Sequence, residues 1–189
     1  MTSTFNFLMV LYSIIIGVSM ADILAAIGHI IQGNKSVNNY WVHSAWVFMI
    51  FYLHVFIWFS AWQYAAIELW TIASFFLFLM TPVTLFLASV VALPEIDPDG
   101  KYDMRSYYFK NYRSIYALLV IIIVLNAGTE YLLLDQYPFT TRNIIRALAA
   151  FSLTVGIFFS RPFTHGTQVS LFCALIGYFT LSYRGFISG

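Results

Sequence analysis

Six runs of apolar residues leave this chain little choice of fold. Each approaches or exceeds the roughly 20 residues that cross a hydrocarbon core. They lie at about Phe7–Ile31, Tyr40–Trp62, Ala66–Leu93, Arg113–Leu134, Thr140–Ser160 and Gln168–Tyr183. In lipid every backbone N–H and C=O must find its partner within the protein, so runs of this length are read as helices. The chain is 61% hydrophobic and 9% charged, against about 25% charged in soluble domains. A soluble fold could not cover so much apolar surface, whereas a bilayer solvates it. The expected architecture is all-α: one polytopic membrane bundle spanning 1–189, with about six transmembrane helices.

Little remains outside those runs. A net charge of +1 gives no reason to expect a nucleic-acid partner. The single cysteine, Cys173, cannot form an intrachain disulfide. The opening MTSTFN carries no basic residue before the first apolar run, so that run reads as a permanent span and not as a cleaved leader. Gln63 and Ala65 mark a very short link between the second and third runs, which makes those helices antiparallel neighbours. The one sizeable connection, Pro94–Tyr112, opens with acidic turn residues. It then interleaves Arg105, Lys110 and Arg113 with Tyr107, Tyr108, Phe109 and Tyr112. Rings and long basic stems both favour the headgroup layer, so this stretch reads as an interfacial segment, with anionic lipid as a candidate partner. Asp97, Asp99 and Asp103 lack the spacing and closing Glu of a calcium loop.

Basic residues orient the bundle. Lys35, Lys101, Arg105, Lys110, Arg113 and Arg161 fall in or beside the first, third and fifth connections; Arg142, Arg146 and Arg184 fall on the other side. The positive-inside rule then places the first set in the cytoplasm and both termini outside, in a plasma (inner) membrane. A three-plus-three inverted repeat rests only on Tyr12 and Asp22 being spaced like Tyr116 and Asn126.

An ionisable side chain costs roughly 2.5–3.5 kcal/mol to insert, so each one within a span asks for a reason. Three layers emerge by depth. The outer layer holds Glu68, Glu130, Arg142 and Arg146, with Asn126 one turn below Glu130. Two carboxylates and two guanidiniums at one depth can neutralise each other as ion pairs that fasten helices, or form a vestibule for a charged solute. The middle layer holds Asp22 and His54, with Pro82 breaking the third span nearby. A buried acid, a histidine and a kink are ingredients of a proton or ion path, and Asp22, His54 and Asn126 are its candidate lining. The alternative is that Asp22 bonds a neighbour and locks two helices. The inner layer holds His29 and His43, placed level in a helical hairpin, where two imidazoles can ligate haem or a metal ion or simply reach the interface. His165 reads as a solvated loop residue. Ser13, Gly17, Ala21 and Ala25 form a small-residue stripe on the first span, suited to close packing within the bundle or between two copies.

No phosphate-binding glycine loop, HExxH, CxxC or nucleophile elbow is present, so enzymatic chemistry has no motif behind it. Three functions remain. The first is a small transporter or channel subunit for protons, ions or a small solute. The second is a membrane haem- or metal-binding redox protein. The third is a scaffold or accessory subunit without its own chemistry.

Overall fold

The computed structural model describes residues 4–32, 37–94, 102–135 and 139–182. Lys35, Asp97, Asp99, Lys101 and Arg184 lie outside the described residues. Six α-helices make up the described chain: α1 Thr4–Gln32, α2 Trp41–Ser60, α3 Ile72–Ala92, α4 Met104–Leu134, α5 Thr141–Phe158 and α6 Pro162–Ser182. A 3-10 segment, Ala61–Ala66, extends α2. Four helical segments are long and apolar enough to cross a membrane: α1, α2 with its extension, α3 and α4. The fold is thus an all-α membrane bundle. Lipid-facing apolar residues such as Phe7, Phe48, Val124, Leu132 and Phe151 cover its outside.

Two ends can be distinguished. At the near end a two-residue parallel pairing joins β1 (Val37–Asn38) to β2 (Tyr102–Asp103), so the first and third connections meet. At the far end lie the α2–α3 and α4–α5 connections. The alternation of connections is the one expected from the sequence.

Helix boundaries depart from the expected ones where a side chain caps a backbone. The third helix starts at Ile72, six residues later than expected, because Thr71 and Ser74 form a reciprocal capping box there. Glu68 is therefore in the link and not on the helix, and the link is longer than the short turn expected. The fourth helix starts at Met104, nine residues early. Asp103 caps it by accepting from the Arg105 N–H at 3.1 Å, so the supposed interfacial loop forms the first turns of α4. The last helix starts at Pro162, a position whose missing N–H costs a first turn nothing. His165 consequently sits in a helix and is fully buried, not solvated.

The end of α3 shows how apolar surroundings enforce pairing. Its last carbonyls have no partner within the helix. Tyr107 donates to Val91 O at 3.0 Å and Leu93 O at 2.7 Å, and His43 Nε2 donates to Ala92 O at 2.8 Å. Pro82 leaves the Phe78 carbonyl without its helical donor, yet α3 runs on through it as helix. Helix α1 packs on α2 and α3, α3 on α4, α4 on α5, α5 on α6, and α6 returns to α2.

Candidate functional site

The far-end charges converge on Glu130. Its side chain is only 3% exposed, although α4 carries it in an apolar stretch. Arg146 reaches it from α5 with two nitrogens, NH1 to Oε2 at 2.6 Å and NH2 to Oε1 at 3.0 Å, the two-point geometry that suits a carboxylate. Arg146 also donates to Asn126 Oδ1 at 2.6 Å and Asn143 Oδ1 at 3.0 Å. Arg142, one turn earlier on α5, adds a contact from NH2 to Oε2 at 2.8 Å. Gln63, from the α2 extension, donates to Oε1 at 3.3 Å. Spacing explains the arrangement: Arg142 and Arg146 are four apart on α5, and Asn126 and Glu130 four apart on α4, so each pair shares a face.

Glu68 does not join this cluster. It is exposed in the α2–α3 link, and no contact ties it to the two arginines. Of the two expected carboxylates, Glu130 alone takes contacts from both guanidiniums among the described residues.

Below this cluster α2, α4, α5 and α6 line a half-open chamber of about 160 Å³. Asn126, Arg142 and Arg146 stand at its far end; Met49, Leu53, Ile123, Leu153 and Phe172 are among the apolar residues that line the rest. Trp46 and Leu153, both fully buried, lie toward the near end.

The middle-layer residues go elsewhere. His54 is fully buried, and its Nδ1–H donates to Ile50 O at 2.7 Å. A carbonyl can only accept, so in the neutral ring Nε2 is an acceptor and the Ser19 hydroxyl donates to it at 2.6 Å. Ser19 in turn meets Ser89 at 2.6 Å. This chain ties α1, α2 and α3 together. Asp22 faces the other way. It is exposed on the outer surface of α1, with no hydrogen bond or ion pair among the described residues. Three residues after Ser19 it is rotated about 60° round the helix, enough to cross from core to lipid. Asp22, His54 and Asn126 therefore do not line one path.

The inner histidines are also separated in their roles. His43 caps α3 and packs edge-on against Tyr107 and Tyr108. His29 is exposed on α1. Among the described residues no three metal-ligating side chains come together. Of the small-residue stripe, Ser13 accepts from Trp58 Nε1 at 3.0 Å, while Gly17, Ala21 and Ala25 remain on the exposed face.

A second polar knot, unforeseen from sequence, fills the near end. His165 donates from Nε2 to Phe159 O at 2.8 Å. Its Nδ1 therefore accepts, with Tyr108 Oη at 2.7 Å and Tyr116 Oη at 2.8 Å, and the two phenols are 3.0 Å apart. Tyr112 adds a contact to Ser160 at 3.0 Å. The available signal was the eight-residue interval between Tyr108 and Tyr116, which repeats a helical face and needs a polar partner once buried. Outside the spans, burial pushes the Tyr40 phenol up, and the Arg105 charge pulls the other way. The chain matches no family model, and no curated protein or solved structure is similar to it.

Proposed function

We propose that the chain is a small membrane transporter or channel subunit that moves a small solute through the chamber between α2, α4, α5 and α6. The observation that carries this reading is the chamber itself, apolar along its length and bounded at one end by Asn126, Arg142 and Arg146. Asn126 keeps its role as a lining residue; Asp22 and His54 do not line the chamber. The test is uptake of protons, monovalent ions and small organic solutes into proteoliposomes, comparing wild type with Ala149→Phe, which fills the chamber. Wild-type uptake lost in the variant supports the reading. Background uptake of every solute by both proteins would sink it.

In this reading the near end faces the cytoplasm of a plasma membrane and both termini lie outside. Arg105, Lys110, Arg113 and Arg161 are exposed at that end, which supports the orientation, and the three on α4 are placed to meet anionic headgroups. Membrane-impermeant amine labelling of intact cells should miss Lys110. An accessory role has one observation in its favour, the exposed Asp22 at mid-span. It predicts a copurifying partner that Asp22→Leu releases.

A further inference from the structure

Independently of the chamber, we infer that the outer face of α1 docks a membrane-spanning helix of another protein, and that this helix carries a lysine or arginine at mid-depth to meet Asp22. Helix α1 has two faces. The inward one runs from Phe5 to Ile23 and packs on α2 and α3. The outward one alternates steps of three and four residues: Leu11, Ile14, Val18, Ala21, Ala25 and Gly28. That spacing is the seam by which one helix packs along another at a shallow angle. Leu11, Ile14 and Val18 are 43%, 55% and 50% exposed. Side chains along the seam shrink toward the near end. A Cβ at Gly17 or Gly28 would meet nothing from the rest of the bundle within 4 Å, among the described residues. Neither glycine makes room for another part of this chain, whereas small residues let a second helix backbone approach closely.

Lipid solvates an apolar seam as well as a protein helix does, so the seam alone names no occupant. Asp22 does. It is exposed beside Ala21 and Ala25, with no hydrogen bond or ion pair among the described residues. Gln32 ends α1 ten residues later, which puts Asp22 roughly 15 Å from that end, in a hydrocarbon core about 30 Å thick. Its short side chain cannot reach water from there, and an ionisable group at that depth is among the costliest to leave in lipid. A lysine or arginine on a neighbouring helix removes the cost through a charge-assisted bond, which a low dielectric strengthens. The alanines on either side leave room for its long stem. A second copy of this chain fits less well. Its α1 would run parallel about a two-fold axis, seam against seam, and bring Asp22 toward Asp22. Charge complementarity therefore selects a basic partner helix.

The test reconstitutes the full chain, labelled at Cys173, in phosphatidylcholine vesicles with labelled synthetic transmembrane helices of leucine and alanine. These helices differ only in the central residue: lysine, leucine or glutamate. Association is read by energy transfer as the helix fraction is raised. The lysine helix should associate roughly tenfold more tightly than the leucine helix, the scale of one interhelical polar contact, and the glutamate helix no more tightly than the leucine one. Asp22→Leu should abolish the preference for lysine, and Asp22→Lys should transfer it to the glutamate helix. Ala21→Phe should weaken association of the lysine helix and leave the melting temperature of the isolated chain unchanged, because the position is exposed. Equal association of the lysine and leucine helices overturns the assignment, as does a lysine preference that survives Asp22→Leu. No association of any helix overturns it too. So does energy transfer between copies of the chain alone that Ala21→Phe abolishes, which would mean that a second copy covers the face.

Discussion

Glu130 offers the sharpest test of the far-end geometry. It is 3% exposed and takes three guanidinium contacts of 2.6, 2.8 and 3.0 Å. Glu130→Ala would leave Arg146 buried without its counter-charge. Removing one partner of a buried ion pair costs about 3–5 kcal/mol. Arg142 is a third exposed and finds other solvation, which puts the expected loss at the lower edge, about 3 kcal/mol. Glu130→Gln keeps the shape and one acceptor oxygen but loses the charge. Charge-assisted bonds are roughly twice as strong as neutral ones, so about half the loss is expected, near 1.5 kcal/mol. Arg142→Gln leaves the two-point Arg146 contact standing and should cost no more than about 1 kcal/mol. Glu130→Ala combined with Arg146→Ala should be more stable than Glu130→Ala alone, because no guanidinium is then stranded. Equilibrium unfolding in mixed micelles with added denaturing detergent, followed by tryptophan fluorescence, would measure the series. A loss below about 1 kcal/mol for Glu130→Ala would refute the reasoning, as would a double variant worse than the single one.

The near-end knot should behave non-additively. Tyr108→Phe or Tyr116→Phe leaves the other phenol to donate to His165 Nδ1, so each should cost about 1 kcal/mol or less, while the double variant strands a buried acceptor and should exceed the sum of the two; thermal melts that add up would contradict this. Gly156→Ala places a methyl 2.6 Å from the Tyr116 ring and 2.7 Å from the Gln168 amide, and should destabilise by about 1–3 kcal/mol through forced repacking of α4, α5 and α6, with a lowered melting temperature as the check. Asp22→Leu should leave the isolated protein as stable as wild type or more stable, since it removes a carboxyl exposed on a lipid-facing surface with no partner among the described residues; a loss above about 1 kcal/mol would mean the side chain has a partner in the bundle.

The gross fold was legible because it follows from solvent. Apolar length fixes where helices lie, and the bilayer forbids alternatives. Boundaries were missed where one polar side chain decides them. Neither Asp103 nor Thr71 stands out in an interface-rich sequence, yet each caps a helix and moves its start by six to nine residues. These shifts had consequences for the site. Moving the start of α3 removed Glu68 from the charge cluster, and moving the start of α6 turned His165 from a loop residue into a core one.

Depth and azimuth differ in how a sequence encodes them. Counting residues along a span gives depth, so the far-end layer of Glu130, Asn126, Arg142 and Arg146 was found as a layer. Azimuth depends on which face meets which neighbour. On a helix apolar all round, such as α1, no polar stripe marks the inside. Ser19 and Asp22 are a fraction of a turn apart, and nothing local says which faces the core. The structure selects the side chain that can be fully satisfied. Ser19 completes a chain with His54 and Ser89 at 2.6 Å each, whereas Asp22 stays on the exposed face of α1. Glu130 could be buried because α5 supplies Arg146 at the same depth. The rule that separates the two carboxylates is therefore partner availability at equal depth.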